Sequence, residues 1–138
     1  MKTRSVISLL YVFCILILLL AVSTAIAEDT SYICEVLHTY DLERDGSVGI
    51  SGFDKQFRGS KFTVSKKDGQ VVGYVVPTKL AKSTNVIQAG NTKYSFRAIA
   101  DFGRDIQILD IREFVPGKQK PFVATAFSGA GIVSGVCE

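Results

Sequence analysis

The stretch from Asp41 to Gly52 is the one segment whose residue types and spacing resemble a metal-binding loop. A calcium loop of the EF-hand type places oxygen ligands at positions 1, 3 and 5, a glycine at position 6 and a bidentate glutamate at position 12. The matched positions are Asp41, Glu43, Asp45 and Gly46, whereas position 12 is Gly52. Asp41, Glu43 and Asp45 are therefore candidate calcium ligands, and an acidic Asp-Gly turn without metal is the alternative.

His38 is the only histidine in the chain. A hydrolytic site needs such a base to be oriented by a carboxylate beside a nucleophile. Asp41 is close to it in sequence, but the serine in Ser128-Gly129-Ala130-Gly131 lacks the Gly-x-Ser-x-Gly frame of a nucleophile elbow. One histidine is also too few ligands for a zinc site. We expect no catalytic residue, no resident metal and no cofactor, so the chain is not predicted to be an enzyme.

The cysteines predict one disulfide bond. Cys14 lies in an N-terminal segment that is expected to be removed, which leaves Cys34 and Cys137 to pair with each other. A disulfide requires Cα atoms roughly 4.4 to 6.8 Å apart. The first and last strands of the exported chain must therefore lie side by side or face each other across one thin core.

Residues 1–27 have the composition of a secretory signal peptide. Lys2 and Arg4 precede an apolar run from Val6 to Val22, and Ala25-Ile26-Ala27 is a small-x-small cleavage site. The apolar run is roughly 17 residues long, so an uncleaved anchor is the alternative, and a membrane is a partner only in that case. Cleavage predicts a periplasmic or secreted protein.

Residues 28–138 are expected to form a single β domain, because this length supports one hydrophobic core and not two. Lys2 and Arg4 belong to the signal segment, so 14 of the 16 lysines and arginines remain beside 13 aspartates and glutamates. A nearly neutral domain lacks the positive charge on which nucleic-acid binding depends. We therefore expect no nucleic-acid partner.

Short runs of β-branched and aromatic residues, separated by glycine-rich turns, dominate this domain. The clearest is a hairpin over residues 61–76, in which Asp68-Gly69 predicts a two-residue type I′ turn. One short helical turn is predicted over residues 53–58. The remaining predicted strands cover residues 31–40, 86–89, 92–102, 106–115, 122–127 and 131–137.

About eight short strands without a helical period predict an all-β fold, an antiparallel small barrel or sandwich. Closing the sheet as a barrel would bring its first and last strands together and would remove exposed edges. The fold class is therefore all-β, closed by one disulfide and preceded by the signal peptide helix.

Phenylalanine is unusually frequent for a domain of this size. Core packing is the default use of these residues, but an eight-stranded barrel can also hold one small apolar ligand, as lipocalins do. The opening motif of lipocalins includes a tryptophan, and this chain has none. The phenylalanines concerned are Phe57, Phe62, Phe96, Phe102, Phe114, Phe122 and Phe127.

Four short motifs are spread over the exported part of the chain: Tyr32-Ile33-Cys34, Phe62-Thr63-Val64 leading through Asp-Gly to Gly73, Pro121-Phe122-Val123, and Gly135-Val136-Cys137. In these motifs the chain resembles a family of small exported bacterial proteins, periplasmic and of no assigned activity, with Tyr-x-Cys after the signal peptide and a C-terminal Gly-x-Cys. The motifs are structural. The resemblance therefore implies the fold and the compartment, and it implies no catalytic residue.

Taken together, these features predict an exported, non-catalytic β domain that serves as a binding or structural accessory in the cell envelope. Its partner would be an envelope protein. The alternatives are a lipocalin-like carrier of a small apolar ligand and a calcium-binding module that uses the loop from Asp41 to Asp45.

Overall fold

The computed structural model describes residues 30–126 and 131–138. The predicted signal peptide over residues 1–27 and the predicted turn over residues 128–130 lie outside these ranges. A single helical turn, α1 (Asp54–Phe57), lies between β2 and β3. The strands are β1 (Ser31–Leu42), β2 (Val48–Ile50), β3 (Lys61–Ser65), β4 (Val71–Gly73), β5 (Ser83–Gln88), β6 (Phe96–Asp101), β7 (Ile106–Ile111), β8 (Lys120–Ala126) and β9 (Gly131–Cys137).

All nine strands belong to one antiparallel sheet, which curls into a half-barrel. Their order is β4-β3-β1-β9-β8-β7-β6-β5, and β2 pairs with the end of β1. The all-β prediction is confirmed, and the first and last strands are neighbours as expected. They lie in the middle of the sheet, however, and β4 and β5 form its edges. The expectation that closure would remove the edges is therefore wrong.

The concave face of the sheet carries the hydrophobic core. In β6 the inward residues Phe96, Ala98 and Ala100 are buried, whereas Arg97 between them is exposed. This is the alternation expected of a strand with one buried face. The core also receives aromatic pairs from distant strands, including Phe62 of β3 against Phe122 of β8, whose ring centroids are 5.2 Å apart.

A β-bulge in β1 changes which residues face the core. Val36 is opposite Gly135, but the next paired residue is His38, so Leu37 is the extra residue of the bulge. Beyond it Thr39 is fully buried and His38 is turned to the convex face. Simple alternation from Tyr32 would have placed His38 on the core side, and that expectation is wrong because the bulge reverses the alternation.

The hairpin predicted over residues 61–76 is present as β3 and β4, but its predicted two-residue type I′ turn is wrong. The turn between β3 and β4 contains four residues, 66–69, and is closed by bonds from the Ser65 amide to the Gln70 carbonyl and from the Gly69 amide to the Ser65 carbonyl. Gly69 has a positive φ of 73°, as glycine in such a bulged turn requires. The predicted loop over residues 41–52 contains a short strand, β2, that pairs with the end of β1.

Candidate functional site

The disulfide joins Cys34 of β1 to Cys137 of β9, as predicted. The sulfur atoms are 2.01 Å apart, and the Cα atoms are 3.9 Å apart, closer than the roughly 4.4 to 6.8 Å expected from the sequence. Next to the bridge, Ile33 and Glu138 exchange two backbone hydrogen bonds of 2.9 Å each. The cysteines therefore occupy the adjacent pair without backbone hydrogen bonds, where opposing side chains come closest. Both cysteines are completely buried.

The candidate calcium loop is the turn of the β1–β2 hairpin. Asp41 lies in β1 opposite Gly49, and the Asp45 carboxylate accepts hydrogen bonds from the Ser47 hydroxyl (2.7 Å) and amide (2.9 Å). These bonds, the hydroxyl first, lower the pKa of Asp45 below its ordinary value. Asp41, Glu43 and Asp45 do not form a metal-ligating group, since the described residues contain no such cluster of three or more. Calcium binding here stays a prediction without support from the geometry.

His38 lies beside a carboxylate, but this is Asp54 of α1 and not Asp41. The Nδ1 atom of His38 is 3.8 Å from Oδ1 of Asp54 and 3.5 Å from Nη2 of Arg58. The imidazole is 43% exposed on the convex face. Ser134 is its partner across the strand pair, yet no serine or threonine of the described part of the chain forms a hydrogen bond with His38. The activated hydroxyl of a hydrolytic site is not formed here.

The Asp54 side chain connects α1 to the bulged part of β1 by a hydrogen bond. Its side chain is 4% exposed, and its Oδ1 accepts a hydrogen bond of 2.8 Å from the Thr39 amide. Its Oδ2 accepts another hydrogen bond from Arg58, four residues along the chain. The bond from Thr39, and after it the bond from Arg58, lower the pKa of Asp54. The Asp54–Arg58 spacing was visible in the sequence, but the contact with Thr39 depends on the bulge.

A groove lies at the seam of the half-barrel, between the β4 edge and the β5 edge. Its volume is about 460 Å³, which falls in the usual range for small-ligand sites. Residues 70–73 form one wall, Ser83 and Thr84 belong to the other, and the connection between β4 and β5 supplies the rest. Lys79 and Lys82 are the charged residues of the lining, which contains no aspartate or glutamate. None of the site residues suggested by the sequence lies in this groove.

The interior of the half-barrel is filled by side chains. The Tyr32 and Phe96 rings pack at 5.1 Å, and Phe62 and Phe122 lie beside them in the same core cluster. A small pocket on the core side, where Gln107 lies, measures about 10 Å³, roughly enough for one water molecule. The described part of the core is therefore closely packed around these rings, and the lipocalin-like alternative stays a prediction.

The other phenylalanines are spread over the molecule. Phe57 is partly buried against the core, and its ring lies 5.8 Å from that of Tyr74. Phe114 is largely exposed, and Phe127 lies outside the described residues. The described phenylalanines Phe57, Phe62, Phe96, Phe114 and Phe122 are thus divided between the core, its margin and the exposed surface.

Within residues 30–126 and 131–138, no helix has the length and apolar character needed to cross a membrane. No family model, curated protein or solved structure matches this chain.

Proposed function

We propose that this protein is an exported, non-catalytic domain that acts by binding, as an accessory of the cell envelope in the periplasm or outside the cell. The groove at the seam carries the proposal, because it combines a ligand-sized volume with two lysines and the backbone of an unclosed sheet edge. The buried bridge between Cys34 and Cys137 supports export, since structural disulfides persist in oxidising compartments.

The surroundings of His38 favour binding over catalysis. This residue is the only histidine of the sequence, and its ring faces Asp54 and Arg58, which hold α1 against β1. A catalytic histidine is usually placed in a cleft beside the group from which it takes a proton. The exposed position on the convex face of the sheet fits a structural role better.

Native mass spectrometry of the protein recovered from a host that expresses the whole chain tests this function. We expect a protein that starts at Glu28, is lighter by two hydrogen atoms than the dithiol form, and carries a non-covalently bound molecule that denaturation releases. The same spectrum reports signal cleavage, the disulfide and the oligomeric state.

Two variants locate the bound molecule. Lys79→Glu combined with Lys82→Glu should abolish retention, because both lysines line the groove. His38→Ala should leave retention unchanged, since His38 lies on β1, in the middle of the sheet and away from both edges. Recovery of the chain in the cytoplasm with residues 1–27 attached, or retention that does not depend on the two lysines, would contradict the proposed function.

A further inference from the structure

The two edges of the sheet approach each other closely at one end of the seam. A side chain added at Gly69, in the turn before β4, would come within 2.7 Å of the Ala98 side chain in β6 and within 3.6 Å of the Asn85 carbonyl in β5. The half-barrel is therefore almost closed at this turn. From there the edges diverge along β4, and the groove occupies the space between them.

The protein's own chain already forms one strand-like contact in this space. The Val71 amide donates to the Thr78 hydroxyl (2.8 Å), and the Thr78 amide donates to the Val71 carbonyl (3.2 Å). Thr78 thus pairs with the backbone of one β4 residue, Val71, on the side where an added strand would lie. The edge accepts backbone pairing in the folded protein.

Gly73 is the next residue of β4 whose backbone groups point into the seam. Ser65 bonds to the Gln70 carbonyl across the β3–β4 hairpin, so the next hydrogen-bonded pair of the ladder is Thr63 with Val72. Val71 and Gly73 alternate with Val72 and therefore direct their amides and carbonyls away from β3. Thr78 satisfies Val71, which leaves the edge at Gly73 facing the groove.

Three strongly exposed apolar side chains lie on or next to this edge in the sequence. Leu80 is 86% exposed, and Val72 and Tyr74 are each 72% exposed, the highest values among the large apolar side chains of the described residues. Val72 lines the groove, while Tyr74 and Leu80 adjoin lining residues in sequence. Val72 thus places exposed apolar surface in the groove itself, beside an unpaired sheet edge, and such surface is characteristic of a protein interaction site.

The charge of the groove indicates the sign of its partner. Lys79 and Lys82 line it, and no carboxylate does. Asp101 of the adjoining strand β6 accepts a hydrogen bond of 2.6 Å from the Gly103 amide. A segment with acidic side chains would therefore meet complementary charge, which steers association and sets specificity.

We propose that the groove binds an extended, acidic peptide segment of a partner protein, one residue of which pairs with the backbone of Gly73 at the β4 edge. In this mode of recognition the backbone hydrogen bonds provide affinity, and alternate side chains provide specificity. Carboxylates of the segment face Lys79 and Lys82, and its apolar side chains contact Val72 and Leu80. This inference rests on the proposed binding function and names the class of partner.

A phage-displayed library of random 12-residue peptides, selected against the processed and oxidised protein, tests the inference. We expect enrichment of sequences rich in aspartate and glutamate that contain apolar residues at alternate positions. A selected peptide, titrated into isotope-labelled protein, should shift the amide resonances of Gly73, Val72 and Leu80. Replacing the peptide residue opposite Gly73 by proline should remove that shift, because proline has no amide hydrogen to donate.

Lys79→Glu combined with Lys82→Glu should weaken the peptide by about tenfold or more, as expected when complementary charges become like charges. The matched control, Lys55→Glu combined with Lys118→Glu, makes the same change at two exposed lysines outside the groove and should leave the affinity unchanged. Peptides that bind both double variants equally, or that leave the Gly73 amide unshifted, would overturn the inference.

Two further outcomes distinguish a failure of the peptide inference from a failure of the proposed binding function. If inorganic phosphate shifts the groove resonances and no peptide is enriched, the groove is a small-anion site. If no peptide is enriched while native mass spectrometry shows a molecule retained through Lys79 and Lys82, the binding function stands and its partner is not a peptide. Without enrichment, phosphate binding or retention, both proposals fall.

Discussion

At the residue scale, the extra residue in β1 explains the positions of several polar side chains. Because Leu37 is bulged, the Thr39 amide is directed to Asp54. A buried carboxylate is tolerated there because a backbone donor and the Arg58 guanidinium satisfy it. Asp54, the carboxylate beside His38, is thus part of the attachment of α1 to the sheet.

Asp54→Asn should lower the melting temperature at neutral pH by several degrees, because the uncharged amide binds Arg58 less strongly than the carboxylate does. Thermal unfolding followed by circular dichroism measures the effect. Asp105→Asn makes the same change at an exposed loop carboxylate and should leave the melting temperature unchanged. Equal losses in the two variants would mean that Asp54 has no special role.

The lowered pKa of Asp54 also makes the folded protein less stable as the pH falls. A carboxylate whose pKa is lower in the folded state contributes stability that is fully present above its unfolded pKa of about 3.9 and is lost as the pH falls through the folded value. The stability of the Asp54→Asn variant should therefore fall less steeply below about pH 4 than that of the unmodified protein. Asp45 and Asp68, whose pKa values are also lowered, contribute to the pH dependence of stability in both proteins.

At the scale of the elements, the pairing of β1 with β9 depends on a residue without a side chain. A Cβ atom at Gly135 would lie 2.0 Å from the Glu35 carbonyl oxygen and 2.7 Å from the Phe122 ring. Both neighbours belong to the centre of the sheet, so neither can move without disturbing its own strand. Glycine at this position allows β9 to lie close to β1 and to pack beneath Phe122.

Gly135→Ala should destabilise the protein by about 1–3 kcal/mol or more, the usual cost of overpacking a core. Urea unfolding of the oxidised protein measures this free energy. Gly52→Ala is the matched control, since no atom lies within 4 Å of the added carbon. It should preserve stability or raise it slightly, because alanine restricts the unfolded chain. Indistinguishable midpoints for the two variants would contradict the close packing of β9 on β1.

Most strands were predictable because their signal is local. In β6 the alternation of apolar and polar residues marks the element, and the cysteine count predicts the one covalent link between β1 and β9. The three-residue strand β2 is too short to show alternation. The bulge at Leu37 leaves no sign in composition, so the side on which His38 lies could not be predicted.

At the scale of the whole molecule, the place of a strand in the sequence does not indicate its place in the sheet. The first and last described strands, β1 and β9, occupy the centre of the sheet, and the edges come from β4 and β5 in the middle of the sequence. Alternation identifies a strand's buried face but does not identify its neighbours. The groove arises from this arrangement, since its walls include the two edge strands, each of which is paired on one side only. Residue patterns alone could not have located it.

Replacing both cysteines, as Cys34→Ala with Cys137→Ala, should reduce the free energy of unfolding by up to about 4.7 kcal/mol, the chain-entropy value for a loop of about 100 residues. The bridge encloses a sequence separation of 103 residues. Urea unfolding of the oxidised unmodified protein and of the double variant measures the difference. An unchanged midpoint would show that the bridge does not restrict the unfolded chain as this model of disulfide stabilisation assumes.

The position of the bridge also determines how the domain bears mechanical load. Thr30 and Glu138 lie at the same end of the β1–β9 pair, and only the Ile33–Glu138 pair of hydrogen bonds lies outside the disulfide on that side. Tension applied between these two residues would otherwise unzip the central strands one pair at a time. With the bridge intact, the force passes from Cys34 to Cys137 through the sulfur atoms, and the sheet enclosed between them stays unloaded.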